Sequence, residues 1–328
     1  MAQYGAVRSP LVDKRLGECA FPMRHVGRCV VYALRRYWLL YALLCPALTL
    51  FVIFNFVPTL MTIPLVFKKY YLLKGIWASP WVGLQNFQAV IRSIDFPNVV
   101  RNTILISVYR LSFGFFPPII LAILTHALLL GWVRRVCQSI TYLPYFFSWP
   151  IVYGIVVALL NQADGVLVAA LRNAGIETPN VLVSETLFRP LLVLTGIWKE
   201  AGWGSIIYLA ALMGIEPELY EAAMVDGASW FHRIWHITMP GIRPVMVLLL
   251  TLSLSGILSA GFEQVFLFYT PLTYRVGDII DTWVYRRGLL SADFGTATAV
   301  GFCKSVIGLS LVLTADKLAK RLTGQGIW

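Results

Sequence analysis

Long apolar stretches separated by short polar segments dominate the hydrophobic pattern of this chain. A helix needs about 20 mostly apolar residues to cross the hydrocarbon core of a bilayer. The pattern therefore predicts an all-α integral membrane protein with six transmembrane helices. These predicted helices lie at residues 37–67, 103–133, 139–161, 190–213, 245–262 and 296–315.

The composition agrees with a protein solvated mainly by lipid. Of the 328 residues, 58% are hydrophobic and only 13% are charged, which is far from the balance of a soluble domain. The formal net charge is +11, but the Lys and Arg residues lie between apolar stretches and not on one basic face. The charge therefore indicates membrane topology and not nucleic-acid binding. None of the five cysteines falls in a segment placed outside the cytoplasm, so a disulfide framework is not expected.

The N-terminal charges predict the orientation. Residues 1–36 contain seven Lys and Arg residues against two acidic residues, and the positive-inside rule places this tail in the cytoplasm. It is not a cleavable signal peptide, because the apolar stretch after it is too long. Six spans return the C-terminal tail, 316–328, to the same side. Arg134 and Arg135 are expected in a tight cytoplasmic turn, and three longer segments, 68–102, 162–189 and 263–295, are expected outside.

Two features of the spans predict how they pack. Pro117 and Pro118 should kink the second span, since each proline removes a backbone donor and clashes with the preceding turn. Ala297, Gly301 and Ser305 follow one another at intervals of four and allow a close helix contact. That contact is either a packing seam within the subunit, which we favour, or a dimer seam.

The segment 214–243 is amphipathic although a short connection would suffice. Pro217 suits the first turn of a helix, and Gly227 suits a helix end, so two short helices are predicted. Tyr220, Trp230 and Phe231 are large side chains of the kind that protein interfaces favour. From the residues alone, the segment is either a docking surface or an amphipathic helix lying on the bilayer.

The run EAAMVDGA, followed by ITMP, resembles the EAA motif of ABC importer permeases of the carbohydrate type. Met239 replaces the leucine of the family pattern, which conserves volume. Further family elements follow at family spacing over about 80–315, and the run GFEQVFLFYTPLTYRVGDIIDTWVYRRGL is typical of a subgroup that handles polysaccharide fragments. The elements are Gly83-Leu84-Gln85-Asn86-Phe87, Asn102-Thr103, Tyr142-Leu143-Pro144, Asp164-Gly165 and IWKEAGWGSIIYLAAL.

The resemblance implies a type I ABC importer permease fold with both termini cytoplasmic, a core at 103–315 and a cytoplasmic coupling loop at 214–243. The implied location is the bacterial cytoplasmic (inner) membrane. The implied partners are a second homologous permease, two ATPase subunits and an extracytoplasmic substrate-binding protein. The implied ATPase-coupling residues are Tyr220, Glu221, Ala222, Ala223, Asp226 and Gly227.

No enzyme activity is expected of the chain itself. It has no GxxxxGK[ST] phosphate loop, so ATP and Mg²⁺ should be bound by the partner ATPases and no cofactor by this chain. An integral-membrane sugar transferase is the competing class, but HExxH, GxSxG and paired acidic motifs are missing. A non-transporting membrane scaffold is the third possibility. His232 and His236 have metal-ligand spacing without a third ligand nearby, so no metal is predicted.

Charges within apolar spans point to a substrate passage. Such charges are costly and usually face a cavity or pair with one another. A positively biased passage would suit an anionic oligosaccharide, such as a uronate oligomer of the alginate type. If the charges instead pair for structural reasons, a neutral oligosaccharide or a phosphorylated polyol remains an alternative substrate. Aromatic side chains such as Tyr145 and Trp203 could stack on sugar rings or simply lie at the membrane interface. The candidate passage residues are Arg110, Lys199, Glu200, Glu263 and Lys304.

Overall fold

A computed structural model describes residues 36–323, and most of the tail predicted at 1–36 and the end of the tail at 316–328 lie outside the described residues. The described residues are helical, with one isolated backbone bridge between Lys68 and Trp81. The predicted all-α class is confirmed. The chain divides into a first unit that ends at Ile63 and a second unit that starts at Pro64.

Sixteen helices are numbered here in chain order across the described residues. The first eight are α1 (Trp38–Val66), α2 (Gly75–Ala78), α3 (Gln85–Arg92), α4 (Phe96–Gly114), α5 (Phe116–Ala127), α6 (Gly131–Tyr142), α7 (Trp149–Leu160) and α8 (Val166–Asn173). The second eight are α9 (Glu185–Met213), α10 (Pro217–Val225), α11 (Trp230–Arg233), α12 (Met239–Ser255), α13 (Phe262–Phe268), α14 (Tyr274–Gly277), α15 (Ile280–Tyr285) and α16 (Phe294–Thr323).

Four stretches of helix among the described residues are long and apolar enough to cross a membrane, and a bent pair makes a fifth candidate. The helix α9, which contains the predicted span 190–213, is 29 residues long but more polar, since it carries Lys199 and Glu200. The protein is therefore a membrane protein with four or five strongly apolar spans, and the sixth stays a prediction. The four stretches are Trp38–Val66, Phe96–Ala127, Trp230–Leu254 and Phe294–Lys317.

The predicted tight turn at Arg134 and Arg135 is wrong. Both residues lie inside α6, and the connection from α5 is formed by residues 128–130 instead. The Arg134 Nη2 donates to the carbonyl oxygens of His126, at 3.2 Å, and Leu128, at 2.7 Å. The arginine thus satisfies carbonyls at the C-terminal end of α5, where a positive charge is favourable.

The predicted third span, 139–161, is not one straight helix. The helical stretch Gly131–Phe146 and α7 meet at an angle of 103°. Residues Phe147 and Ser148 are extended between them, and Pro150 lies in the first turn of α7. A proline there starts a new helix and cannot donate to the preceding one, which explains the break.

The helix that corresponds to the predicted fifth span, 245–262, begins and ends earlier in the chain than predicted. The helix starts at Trp230, passes through a π-helical turn at Ile234–Thr238 and ends at Ser255. The second short helix predicted in the segment 214–243 is therefore the start of a membrane-length helix. Its N-terminus is capped by Ser229, whose Oγ accepts the backbone N–H of His232.

The helix α9 lies at the centre of the largest buried cluster in the second unit. Phe188 and Leu192 of α9 are fully buried against Val265 and Ile279. Gly202 of α9 passes so close to the backbone carbonyl of Thr141 that a side chain would not fit. This packing explains how a helix with internal charges is held among the apolar spans.

The two predicted packing features have different outcomes. The helix α4 stops at Gly114 and α5 resumes at Phe116, so the interruption falls just before Pro117 and Pro118. In the small-residue stripe of α16, a Cβ on Gly288 would lie 2.9 Å from the Cβ of Ala297, which shows a close contact within the chain. Gly301, in contrast, has no atom within 4 Å of an added Cβ, so the seam ends before it.

Candidate functional site

The predicted coupling helix is present as α10. It starts with Pro217 in its first turn, and Gly227, just beyond its end, has φ +74°, a left-handed conformation that glycine adopts without strain. The backbone N–H of Gly227 donates to Met224 O and that of Ala228 donates to Ala223 O. These two bonds form a Schellman motif, which ends the helix sharply and satisfies its last carbonyls.

The coupling surface is defined here as α10 together with Phe231 and Trp235. Large apolar side chains are exposed on it, including Val225 at 88%, Phe231 at 76% and Trp235 at 71%. Of the predicted coupling residues, Tyr220 and Ala223 are half-buried, whereas the other four are exposed. Exposed apolar clusters of this kind mark sites that interact with another protein or with a membrane. The exposed four are Glu221, Ala222, Asp226 and Gly227.

Direct contacts join the coupling surface to the membrane helices. The Tyr220 hydroxyl lies 3.0 Å from Thr238 Oγ1, in the π-helical turn that precedes α12. Ile215, just before α10, lies against Gly241, where an added Cβ would be 2.6 Å from Ile215 Cδ1. Ile242 is fully buried in a cluster whose other buried members come from α5 and α9, and Ile215 packs against this cluster. The residues at α10 are therefore in contact with the packing shared by α5, α9 and α12.

A cavity of about 350 Å³ lies where α4 passes the turn between α12 and α13. Two of the candidate passage residues, Arg110 and Glu200, line it. The Arg110 Nη2 lies 3.4 Å from Glu200 Oε1, and its Nη1 donates to Ala260 O at 3.2 Å. The cavity is thus lined by one ion pair with an otherwise mixed polar and apolar wall.

Lys199, another candidate passage residue, does not line this cavity. Its side chain is buried, and Nζ donates to Tyr145 O at 2.7 Å. The same ammonium lies 5.1 Å from the ring centre of Tyr145 and 5.6 Å from that of Trp149. A carbonyl and two aromatic faces stabilise the charge in the packing between α9 and the bend before α7.

Lys304 and Glu263 also lie outside the lining of the cavity. The Lys304 Nζ lies 2.6 and 2.8 Å from the two carboxylate oxygens of Asp281. Asp281 was not singled out in the sequence, because it lies 23 residues away with no shared motif. Glu263 is exposed at the start of α13. The structure therefore brings together only Arg110 and Glu200 among the five candidates.

A second polar cluster in the segment 263–295 was missed by sequence reasoning. Asp278 is 5% exposed, and its carboxylate accepts hydrogen bonds from both terminal nitrogens of Arg286. The Arg286 guanidinium also lies 4.8 Å above the ring of Tyr274. The hydrogen bonds that Arg286 donates to the Asp278 carboxylate raise the pKa of Arg286. Asn102 Nδ2 donates to the Asp278 carbonyl at 3.2 Å, and Thr103 Oγ1 accepts the backbone N–H of Ile280. The Asn-Thr pair of the sequence motif thus attaches this cluster to α4.

The GL-x-NF element near residue 85 has a structural role as well. Gly83 has φ +59°, and the buried Asn86 donates to the carbonyl oxygens of Val66 and Lys68 at 2.8 and 3.1 Å. An added Cβ on Gly295 of α16 would lie 2.9 Å from Asn86 Nδ2. The motif therefore attaches the segment after α1 to α3 and α16.

The aromatic and histidine candidates form contacts with each other. The rings of Tyr145 and Trp203 stack in parallel at 4.6 Å, so each has one face covered by the other. The imidazoles of His232 and His236 stack at 4.5 Å, and His236 Nδ1 lies 3.0 Å from His232 O. Within residues 36–323, no three His, Cys, Asp or Glu residues form a group that could hold a metal ion.

Residues 114–324 match the family described as "Binding-protein-dependent transport system inner membrane component". The chain belongs to this family. The matched range contains the coupling surface, the cavity wall formed by α9 and α12, and the membrane helices from α5 to α16. The fold predicted from the motifs is confirmed at the level of this permease family.

The permease is also similar to two proteins of Bacillus subtilis. It is 39% identical to Protein LplB of Bacillus subtilis (strain 168), over 90% of this chain and 93% of that protein. It is 38% identical to the polygalacturonan/rhamnogalacturonan transport system permease protein YteP of the same organism, over 88% and 90%. Both matches extend across nearly the whole of each protein.

A solved structure shows the same fold in an assembled transporter. The permease matches one chain of a bacterial alginate ABC transporter in complex with an alginate pentasaccharide-bound periplasmic protein. The TM-score is 0.83 at 37% identity, and the match covers 93% of this chain and all of that chain. The predicted identity as a carbohydrate-type permease is therefore confirmed.

Proposed function

We propose that the permease is one transmembrane subunit of an ATP-driven, binding-protein-dependent importer of oligosaccharides. The observation that carries the proposal is the coupling surface, an exposed helix with exposed apolar neighbours that is bonded to membrane helices. The family match and the similarity to the transport system permease YteP support it. A membrane scaffold or a sugar transferase would not require such a surface.

Energy for transport comes from other subunits in this proposal. Two ATPase subunits bind ATP and Mg²⁺ and receive the coupling surface, with Tyr220, Glu221, Ala222, Ala223, Asp226 and Gly227 at the contact. When the ATPases close on ATP, they move α10, and the contacts of Ile215 and Tyr220 transmit the movement to α5, α9 and α12. Nucleotide and loaded binding protein then bias two global states of the membrane helices differently.

The proposed assembly has a second homologous permease and an extracytoplasmic binding protein. The similarity to a permease solved with its periplasmic protein supports the latter. We place the assembly in the bacterial inner membrane, with six spans and both termini in the cytoplasm.

Anionic oligosaccharides are the proposed substrate class. The relative YteP is described as transporting polygalacturonan and rhamnogalacturonan, and the solved neighbour as transporting alginate, and these polymers contain uronate sugars. An arginine on the cavity wall supports the same class. Neutral oligosaccharides are the alternative that the binding measurements below separate, and phosphorylated polyols are a second alternative.

Site-directed crosslinking tests the proposed coupling. Val225→Cys places a thiol at a position that is 88% exposed on α10, and Leu73→Cys places one at a fully exposed position in the segment predicted outside. We expect Val225→Cys to crosslink to an ATPase subunit and to be labelled only from the cytoplasm. Leu73→Cys should be labelled only from the other side. Crosslinking of Leu73→Cys but not of Val225→Cys to the ATPase would refute the proposal.

Co-purification separates the competing classes. A tagged permease should bring down ATPase subunits and a second permease, and ATP hydrolysis by the complex should rise when a loaded binding protein is added. A sugar transferase or a scaffold would purify without ATPase subunits, and either result would overturn the assignment.

A further inference from the structure

Contacts with a neighbouring turn hold Arg110 in place. The turn between α12 and α13 encloses its guanidinium, and Ala260 and Gly261 in this turn both have left-handed backbone conformations, with φ +45° and +75°. A Cβ on Gly261 would lie 1.5 Å from Arg110 Nη1, so only glycine allows the approach. Ser107 Oγ, one turn earlier on α4, donates to Ile257 O and fixes the start of the same turn.

The turn uses only part of the hydrogen-bonding capacity of Arg110. Nη1 donates to Ala260 O, and Nη2 lies 3.4 Å from Glu200 Oε1, a single long contact. An arginine can donate two parallel hydrogen bonds of about 2.7–2.9 Å to one carboxylate. The pair with Glu200 is therefore far from the strongest arrangement that this guanidinium can make.

Glu200 is the more accessible member of the pair. Its side chain is 50% exposed, compared with 20% for Arg110. It can turn away into open space without moving the backbone of α9. Because Arg110 is fixed and Glu200 is not, a carboxylate in the cavity can take the place of Glu200.

The other intramembrane cations are not available for such an exchange. Lys304 binds both oxygens of Asp281 at 2.6 and 2.8 Å. Lys199 is 8% exposed and donates to a backbone carbonyl at 2.7 Å. Both have short contacts in the packing, and neither lines the cavity. Of the cations singled out in the spans, Arg110 alone combines a loose partner with access to a volume of about 350 Å³.

We infer that Arg110 binds a carboxylate group of the passing oligosaccharide and that Glu200 is the carboxylate which the substrate displaces. This inference rests on the proposed function as an oligosaccharide importer and names the group that selects uronate sugars within it. Replacing one carboxylate by another keeps the arginine paired in both states, so the substrate is recognised without being trapped. A neutral sugar cannot compensate the arginine and leaves Glu200 in place, which disfavours it.

Binding measurements on the purified complex with its partner subunits test the exchange. The probes are a labelled uronate trisaccharide and its carboxyl-reduced neutral counterpart, each titrated against wild type, Arg110→Gln, Arg110→Lys and Glu200→Gln. Arg110→Gln should weaken binding of the uronate about tenfold to a hundredfold, as expected for a lost hydrogen bond to a charged group, and change the neutral probe little. Arg110→Lys should restore part of the difference.

Glu200→Gln gives a result that a purely structural ion pair would not give. Removal of the competing carboxylate should strengthen uronate binding severalfold while binding of the neutral probe stays the same. Gly261→Ala displaces Arg110 without removing its charge and should weaken uronate binding. The matched control is the double variant Lys304→Gln/Asp281→Asn, which removes the other ion pair and should affect both probes equally.

Two outcomes overturn the inference. Equal effects of Arg110→Gln on both probes would show that the arginine only stabilises the fold, and weaker uronate binding in Glu200→Gln would show that the glutamate is not a competitor. The proposed function fails separately, if no loaded binding protein stimulates ATP hydrolysis by the wild-type complex. Stimulation by neutral oligosaccharides alone would leave the importer function standing and refute the role of Arg110.

Discussion

The hydroxyl groups of Tyr220 and Thr238 lie 3.0 Å apart and join the exposed helix α10 to the π-helical turn that precedes α12. Thr238 is 5% exposed, so this contact lies in a protected position beneath the coupling surface. A neutral hydrogen bond contributes about 0.5–1.5 kcal/mol. Its loss should loosen the connection between α10 and the membrane helix without unfolding either one.

Tyr220→Phe removes this hydroxyl and keeps the ring. We expect stimulation of ATP hydrolysis by the loaded binding protein to fall roughly twofold to tenfold, which corresponds to the energy of one hydrogen bond. Thr251→Val is the matched control, since Thr251 Oγ1 donates to Val247 O in its own helix at 2.8 Å. Equal losses in the two variants would refute a special role for the Tyr220–Thr238 contact.

Gly227→Ala should destabilise the end of α10 through backbone strain alone. An added Cβ at Gly227 meets no atom within 4 Å, but φ is +74°, where a residue with a side chain pays about 1–2 kcal/mol. Faster hydrogen exchange of the amides of Ala228 and its neighbours would report the loss. Gly131→Ala at the start of α6, where φ is ordinary and space is also open, should change nothing measurable there.

Asp278→Asn leaves Arg286 without its buried counter-charge. Removal of one partner of a buried ion pair costs about 3–5 kcal/mol, so the thermal unfolding temperature of the detergent-purified protein should fall by several degrees. Glu185→Gln removes the exposed partner of Arg275, where the ion pair is 3.7 Å long and contributes at most about 1 kcal/mol. Equal shifts would contradict the structural role of Asp278.

Gly295→Ala and Gly301→Ala, both in α16, should change the stability of the permease in opposite directions. At Gly295 the new Cβ would lie 2.9 Å from Asn86 Nδ2 and Lys68 O, so we expect loss of stability and weaker attachment of α3 to α16. At Gly301 the space is open, and alanine should stabilise the helix by about 0.5–1 kcal/mol. Thermal unfolding of the isolated permease measures both. A loss of assembly with the second permease in Gly301→Ala would reveal a dimer seam at that position.

The sequence determined the features that depend on local chemistry. Runs of apolar residues fixed where lipid-crossing helices occur, because each buried backbone group in a bilayer must be satisfied within its own helix. Pro217 and Gly227 fixed the bounds of α10 through their backbone preferences, and the Glu-Ala-Ala pattern identified its family. The break at Phe147 and Ser148 was not predicted, because the apolar run 139–161 continues through Pro144 and Pro150, and the angle of 103° came only from the structure.

Only the tertiary structure decided which charges meet. Arg110 and Glu200 are 90 residues apart, and Lys304 and Asp281 are 23 residues apart, so no periodicity relates them. Ion pairing depends on distances of a few ångströms, which are set by helix packing around Gly202 and Gly261 and not by local pattern. For this reason the sequence could name five candidate passage residues, whereas the fold selected the one pair that lines a cavity.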